Sequence, residues 1–224
     1  MQNFGSVDKG RLEKAVNVLA YTKTHSDLGF FILRPERNRH FATNELMAVL
    51  LNMGRYTKKN LPGHTLAIGD ISAAKGGKIS GHASHQMGVD MDVVYFFKDA
   101  PKPKLFKRAY WRNAKGEGVK DPDFMIQEQW KFLKHIVSLQ WTDRIFVHPN
   151  IKLAFCKIAE KSGELKDDKG EFGPIETLRR LRPEMNHGDH FHLRTKMRCN
   201  KDDRRCQPMA APESGTGCDK IKVS

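Results

Sequence analysis

The chain has 224 residues, 39% of them hydrophobic and 9% aromatic, which is enough length and apolar material for a substantial core. No apolar run approaches the ~20 residues that span a bilayer, so a chain without a membrane span is expected. A formal net charge of +13 attracts anionic partners over a distance, yet there is no zinc-finger spacing, basic zipper or RNP-like aromatic motif to carry nucleic-acid recognition.

Taken in order, the apolar positions Leu12, Ala15, Val16 and Leu19 predict a short helix over Leu12 to Thr22. Gly29 to Arg34 reads as a buried strand ended by Pro35, and Thr43 caps a helix whose Leu46, Val49, Leu50 and Met53 form one stripe. Pro62-Gly63 marks a turn before the strand Thr65 to Asp70. Ala73 to Lys78 reads as a flexible loop, and its glycine pair lacks the pattern of a phosphate cradle.

The loop leads into Gly81-His82-Ala83-Ser84-His85-Gln86-Met87-Gly88-Val89-Asp90-Met91-Asp92. A distant counterpart is His187-Gly188-Asp189-His190-Phe191-His192. Five of the ten histidines fall in these two windows, with carboxylates beside them, and these are the donors of a borderline cation such as zinc. If Val89 to Phe97 and His190 to Lys196 are strands, Asp90 pairs with Asp92 on one face and His190 with His192 on one face. Spacing alone leaves open which member of each pair binds metal. His85 belongs in a turn whose path Gly88 permits.

Lys98 to Lys120 is basic, punctuated by proline and glycine, with Tyr110 and Trp111 between. It reads as a long loop without structure of its own, suited to stacking bases or to holding a glycan strand. Asp121-Pro122 reads as the start of a helix carrying Ile126, Gln129, Trp130, Leu133 and Val137 on one side. Arg144 to His148 reads as a strand with His148 structural, and Pro149 opens a helix bearing Cys156 that ends at Gly163. Pro174 begins a short helix whose Arg179, Arg180 and Arg182 form a solvated face. Cys156, Cys199, Cys206 and Cys218 lack a Cys-x-x-Cys pair, which argues against a structural zinc knuckle. Three of them lie in a tail whose sparse apolar content gains most from covalent staples.

The two windows resemble the signatures of the penicillin-insensitive murein endopeptidases, within a wider group of zinc peptidases that includes lysostaphin-type and D-alanyl-D-alanine peptidases and the hedgehog signalling domain. Ile68-Gly69-Asp70, Gly76-Gly77, the Trp130 helix, Ile145 to Pro149 and the cysteine-bearing tail extend the similarity over most of the chain. The resemblance implies one Zn2+ held by His85, Asp92 and His192, with His190 and His187 as catalytic histidines. His82, Ser84, Asp90 and Asp189 become substrate-binding or supporting residues. It implies the pairs Cys199–Cys206 and Cys156–Cys218, and turns the Leu12 region into an extended approach to the core.

The expected fold is α+β: a single zinc endopeptidase domain over residues 1–224, its tail 197–224 stapled by disulfides. A small, largely antiparallel central sheet floors a zinc cleft between helices and long loops. The implied activity is hydrolysis of D-alanyl to meso-diaminopimelyl cross-links in peptidoglycan, without nucleic acid. Met1 to Ser6 shows no basic segment followed by an apolar one, so the chain is either cytoplasmic or a mature domain, and the resemblance implies a periplasmic or secreted one. Three other readings stay open: a D,D-carboxypeptidase on free stem peptides, a catalytically silent zinc-containing binding domain, and a metal-free nucleic-acid binder.

Overall fold

A computed structural model describes residues 2–113, 115, 118–166, 172–198, 203, 205–206 and 210–221. The first elements are β1 (Gln2–Ser6), β2 (Lys9–Glu13), β3 (Val16–Asn17), α1 (Val18–Thr24), β4 (Phe30–Ile32), β5 (Phe41–Ala42), α2 (Asn44–Asn60), β6 (Leu66–Ile68) and β7 (Asp90–Val94). They are followed by β8 (Tyr110–Arg112), β9 (Gly118–Lys120), α3 (Ile126–Ser138), β10 (Thr142–Val147), α4 (Pro149–Lys161), α5 (Pro174–Arg180), β11 (Leu181–Pro183) and β12 (His190–Thr195). The fold is α+β, and the chain divides into two compact units, Met1–Val93 with Leu193–Ala210 and Val94–His192 with Ala211–Ser224.

In the first unit β4 runs parallel to β6, β6 antiparallel to β7, and the C-terminal half of β12 lies beyond β7. The stripe Leu46, Val49, Leu50 and Met53 is at most 1% exposed, as its spacing predicts. Thr43 caps α2 through its hydroxyl, which accepts from the Leu46 amide at 3.1 Å. The predicted helix over Leu12 to Thr22 is shorter and later than expected. Leu12 is a buried strand residue of β2 whose amide donates to the Lys75 carbonyl at 2.9 Å. Lys14 turns the chain with φ of 54°, and the helix starts only after Asn17, whose side chain accepts from Ala20 at 2.9 Å. Leu12 therefore mimicked a helical repeat from a strand.

In the second unit β10 runs parallel to β11, and the N-terminal half of β12 lies beyond β10. Trp130, Leu133 and Val137 are buried as predicted, and Trp130 stacks on Phe155 with ring centroids 5.4 Å apart. Pro149 opens α4 and Gly163 follows its end in the left-handed region with φ of 74°. Cys156 on α4 is joined to Cys218, 62 residues later. Cys206 is also disulfide-bonded, whereas Cys199 lies outside the described residues.

Three expectations fail here for local reasons. The Lys98 to Lys120 stretch contains an antiparallel ribbon, β8 against β9, with Trp111 opposite Val119; two three-residue strands are too short to show a period. Asp121 caps a turn, not a helix, since its carboxylate accepts from the Asp123 amide at 2.8 Å. The next residues are pinned by Met125 donating to the Phe96 carbonyl at 3.0 Å, so α3 starts at Ile126. Arg180 is buried rather than solvated, and its guanidinium donates to the carbonyls of Thr142 at 2.6 Å and Asp143 at 2.9 Å.

Gly54 marks a close approach in α2. A Cβ there would lie 2.1 Å from the Leu28 carbonyl oxygen. Gly54→Ala gains about 1 kcal/mol of helix propensity, but forcing backbone apart in a packed core costs roughly 1–3 kcal/mol. The variant is expected to unfold at lower urea concentration than the parent, and an equal or higher midpoint would show that the contact yields.

Candidate metal centre and histidine cluster

The turn before β7 places His85 by two hydrogen bonds. Its amide donates to Asp90 Oδ2 at 3.2 Å, and its Nδ1 donates to the Ile71 carbonyl at 2.8 Å. The backbone at His85 is left-handed, with φ of 67°, a conformation that costs a non-glycine residue about 1–3 kcal/mol and persists where surroundings enforce it. Gly88 follows with φ of 68° and offers its carbonyl to the Thr43 amide at 2.8 Å, so glycine shapes this turn as expected.

With Nδ1 committed to Ile71, His85 directs Nε2 at Asp92 Oδ1, 3.3 Å away. Two electron-rich atoms buried this close require a cation: either a proton on the imidazole or a metal. Burial pushes the His85 pKa down, but the charge and hydrogen bond of Asp92, with Asp90 behind them, raise it to about 9. His82 completes the group with Nδ1 3.8 Å from Asp92 Oδ2, and the candidate ligand atoms of His82, His85 and Asp92 all lie within 4.8 Å of one another. Two imidazoles and a carboxylate suit a borderline divalent ion, and this group could hold a metal.

Asp70 was recognised in the sequence only as part of Ile68-Gly69-Asp70. It is 1% exposed, and one oxygen, Oδ2, meets Arg37 at 2.8 Å, Arg39 at 3.0 Å and His82 Nε2 at 2.9 Å. Burial pushes this carboxyl up, but hydrogen bonds from His82 and Arg39 and the charge of Arg37 hold it net below the usual carboxylate range. The Asp70 carbonyl also accepts from the Asp92 amide at 3.0 Å. Asp90, one of the two open candidates, meets Arg194 Nε at 2.6 Å and the His85 amide, so it supports the turn. Ser84, which lies between His82 and His85 in the sequence, is buried.

The second window, His187 to His192, lies in the other unit, in the turn before β12 and the N-terminal half of that strand. Phe191 is fully buried beside Tyr95 and Phe132, which fits the alternation that puts His190 and His192 together on the other face. The His187 ring lies 5.0 Å from that of His190 and 5.9 Å from that of His192. His190 Nδ1 donates to Asp189 Oδ1 at 2.6 Å. Burial pushes the Asp189 carboxyl up, but the hydrogen bond and charge of His190, with Arg108 behind them, keep it net below its ordinary value. His148 caps α4 by accepting from the Asn150 amide at 3.2 Å, a structural role as expected, yet its own amide donates to the His187 carbonyl at 3.2 Å. It therefore touches the motif from which its sequence position separates it.

The sequence model of the family described as penicillin-insensitive murein endopeptidase matches residues 3–223. Similar proteins bearing that name occur in Pectobacterium atrosepticum, at 29% identity over 85% of this chain and 64% of the relative, and in Haemophilus influenzae, at 30% identity over 85% and 63%. One from Escherichia coli (strain K12 / DH10B) is 29% identical over 97% of this chain and 73% of its own length. The chain thus spans about 64% and 63% of the length of the first two relatives.

Two outcomes are expected. Asp70→Asn keeps the shape but removes the charge that orients His82, and should weaken metal affinity about 10–100-fold in a chelator competition, the usual cost of losing a supporting partner; unchanged affinity would remove His82 from the metal group. The second concerns pH. The raised pKa means that the His85 proton stabilises the metal-free fold fully below 6.5, and that this stabilisation is lost as pH rises through about 9. A metal at Nε2 displaces that proton, so its apparent affinity should climb steeply from pH 6.5 toward about 9; a flat titration curve would show that metal does not take this nitrogen.

Proposed function

Because the chain belongs to the penicillin-insensitive murein endopeptidase family, we propose that it is a zinc-dependent endopeptidase that hydrolyses D-alanyl to meso-diaminopimelyl cross-links in peptidoglycan. The observation that carries the reading is the buried approach of His85 Nε2 to Asp92 Oδ1 at 3.3 Å with His85 Nδ1 already committed to a carbonyl. The proposed zinc ligands are His85, Asp92 and His192, with His82 and Asp90 supporting them. When bound, zinc supplies Lewis acidity, acidifying water and polarising the scissile carbonyl.

The protein's part is to hold and move protons. His190, its Nδ1 donating to Asp189, accepts a proton at Nε2 while the adjacent carboxylate stabilises the imidazolium. Water adds its oxygen to the acyl carbon, the C–N bond breaks, and the proton held by His190 passes to the departing amine. His187 lines the same cluster and steadies charge on the tetrahedral carbon's oxygen. No His-Glu-x-x-His sequence occurs in the chain, so the base is histidine rather than glutamate. The whole chain acts as one domain on the cell wall, in the periplasm or outside the cell; among the described residues no helix is long and apolar enough to cross a membrane.

Digestion of purified sacculi tests the reading. Loss of cross-linked dimers with a matching gain of monomers supports it; loss of terminal D-alanine alone makes the protein a carboxypeptidase, and no change with zinc bound makes it a silent binding domain. Within the mechanism, His190→Ala is expected to keep near-stoichiometric zinc while kcat falls roughly 10²- to 10⁴-fold with a smaller change in KM. Loss of zinc with activity would make His190 a ligand instead.

A further inference from the structure

The basic stretch between β7 and β8 has no part in the chemistry above, yet it is fastened to the histidine cluster of its own unit at several points. The Ala109 amide donates to the Gly188 carbonyl at 2.7 Å, and the Tyr110 amide donates to the same oxygen at 3.3 Å. Lys107 is held by Asp99 at 2.7 Å and Asp121 at 3.2 Å. The ring of Phe106 meets His190 edge-on with centroids 5.4 Å apart. A segment held this firmly has its exposed side chains in defined places.

Those side chains are unusual for this protein. Leu105 is 66% exposed and Met185 is 50% exposed, and they are the two large hydrophobic residues that stand out in solvent among the described residues. A single exposed leucine means little. Here Leu105 is the neighbour of Phe106, which packs on His190, and Met185 lies two residues before His187, whose ring is 5.0 Å from His190. Each is thus close in sequence to a residue that packs in the cluster. Lys104 and Arg108 are exposed on the same segment, and the charge of Arg108 reaches Asp189.

We propose that residues 102–108 form a substrate wall beside His190, in which the exposed Leu105 takes the aliphatic part of a stem peptide while Lys104 and Arg108 take its free carboxylates. The occupant is an acidic peptide: apolar contact and positive charge alternate along the wall, and a chain of net charge +13 favours such a partner. This rests on the murein reading for the identity of the peptide, but not for the existence of the wall. Partial burial of one leucine side chain stabilises a complex by about 1.4 kcal/mol, or about tenfold in affinity.

The test separates the two. Sedimentation of zinc-loaded His190→Ala protein with purified sacculi reads binding without turnover, alone and with Leu105→Asp, Lys104→Glu or, as a charge control on α2, Lys59→Glu added. Leu105→Asp should weaken binding about tenfold and Lys104→Glu several-fold, with the second effect shrinking at high salt and on sacculi whose stem carboxylates are amidated. Lys59→Glu should change little, and thermal unfolding should be the same for all. In the His190-containing protein, Leu105→Asp should raise KM for a soluble cross-linked dimer about tenfold with kcat within about twofold. Unchanged sedimentation of Leu105→Asp, or an equal loss with Lys59→Glu, overturns the wall. Leu105-dependent sedimentation without any cleavage by the parent protein keeps the wall and overturns the endopeptidase reading.

Discussion

A buried carboxylate must be answered by positive charge or by strong donors, since an ion left alone in the interior costs several kcal/mol. Among the described residues of the first unit Asp70, Asp90 and Asp92 are buried, and each is answered differently. Asp70 is met by two arginines and an imidazole, Asp90 by Arg194 and the His85 amide, and Asp92 by the His85 and His82 imidazoles. The first two are closed structural pairings. Asp92 faces the ring nitrogens of His85 and His82, so the same constraint that stabilises the unit also gathers a group that could hold a metal.

The two histidine environments differ in what each Nδ1 touches. His85 gives Nδ1 to a neutral carbonyl, which fixes the tautomer and leaves Nε2 as a donor of electrons. His190 gives Nδ1 to the Asp189 carboxylate, a charged partner in place of a neutral one. Identical side chains thus stand in different surroundings through one hydrogen bond each.

Much of this was legible in the sequence where a pattern repeats or a residue has one physical use. The α2 stripe, the Thr43 cap and Pro149 at the head of α4 follow from such patterns and are present, and the Cys156–Cys218 pair, which only the family resemblance implies, is present too. Patterns misled where spacing served another geometry: Leu12 repeats with Ala15 and Leu19 but lies in a strand, and Asp121-Pro122 has helix-start chemistry that a turn consumed. Arg37 and Arg39 carry no signal at all, because the bond between them and Asp70 crosses more than 30 residues. Such charges look like surface until the carboxylate they meet is located. His82 meets Asp92 within one window, through a bent path that spacing could not resolve.

The left-handed turn at His85 has a kinetic consequence. Its amide is tied to Asp90 and its ring to Ile71, so protein hydrogen bonds alone hold the imidazole in place against its own backbone preference. The turn does not need to be assembled around an arriving ion. A metal arriving at this nitrogen would exchange with the proton in a finished loop, at a speed set by the proton's departure and the shedding of water from the ion rather than by refolding of the chain.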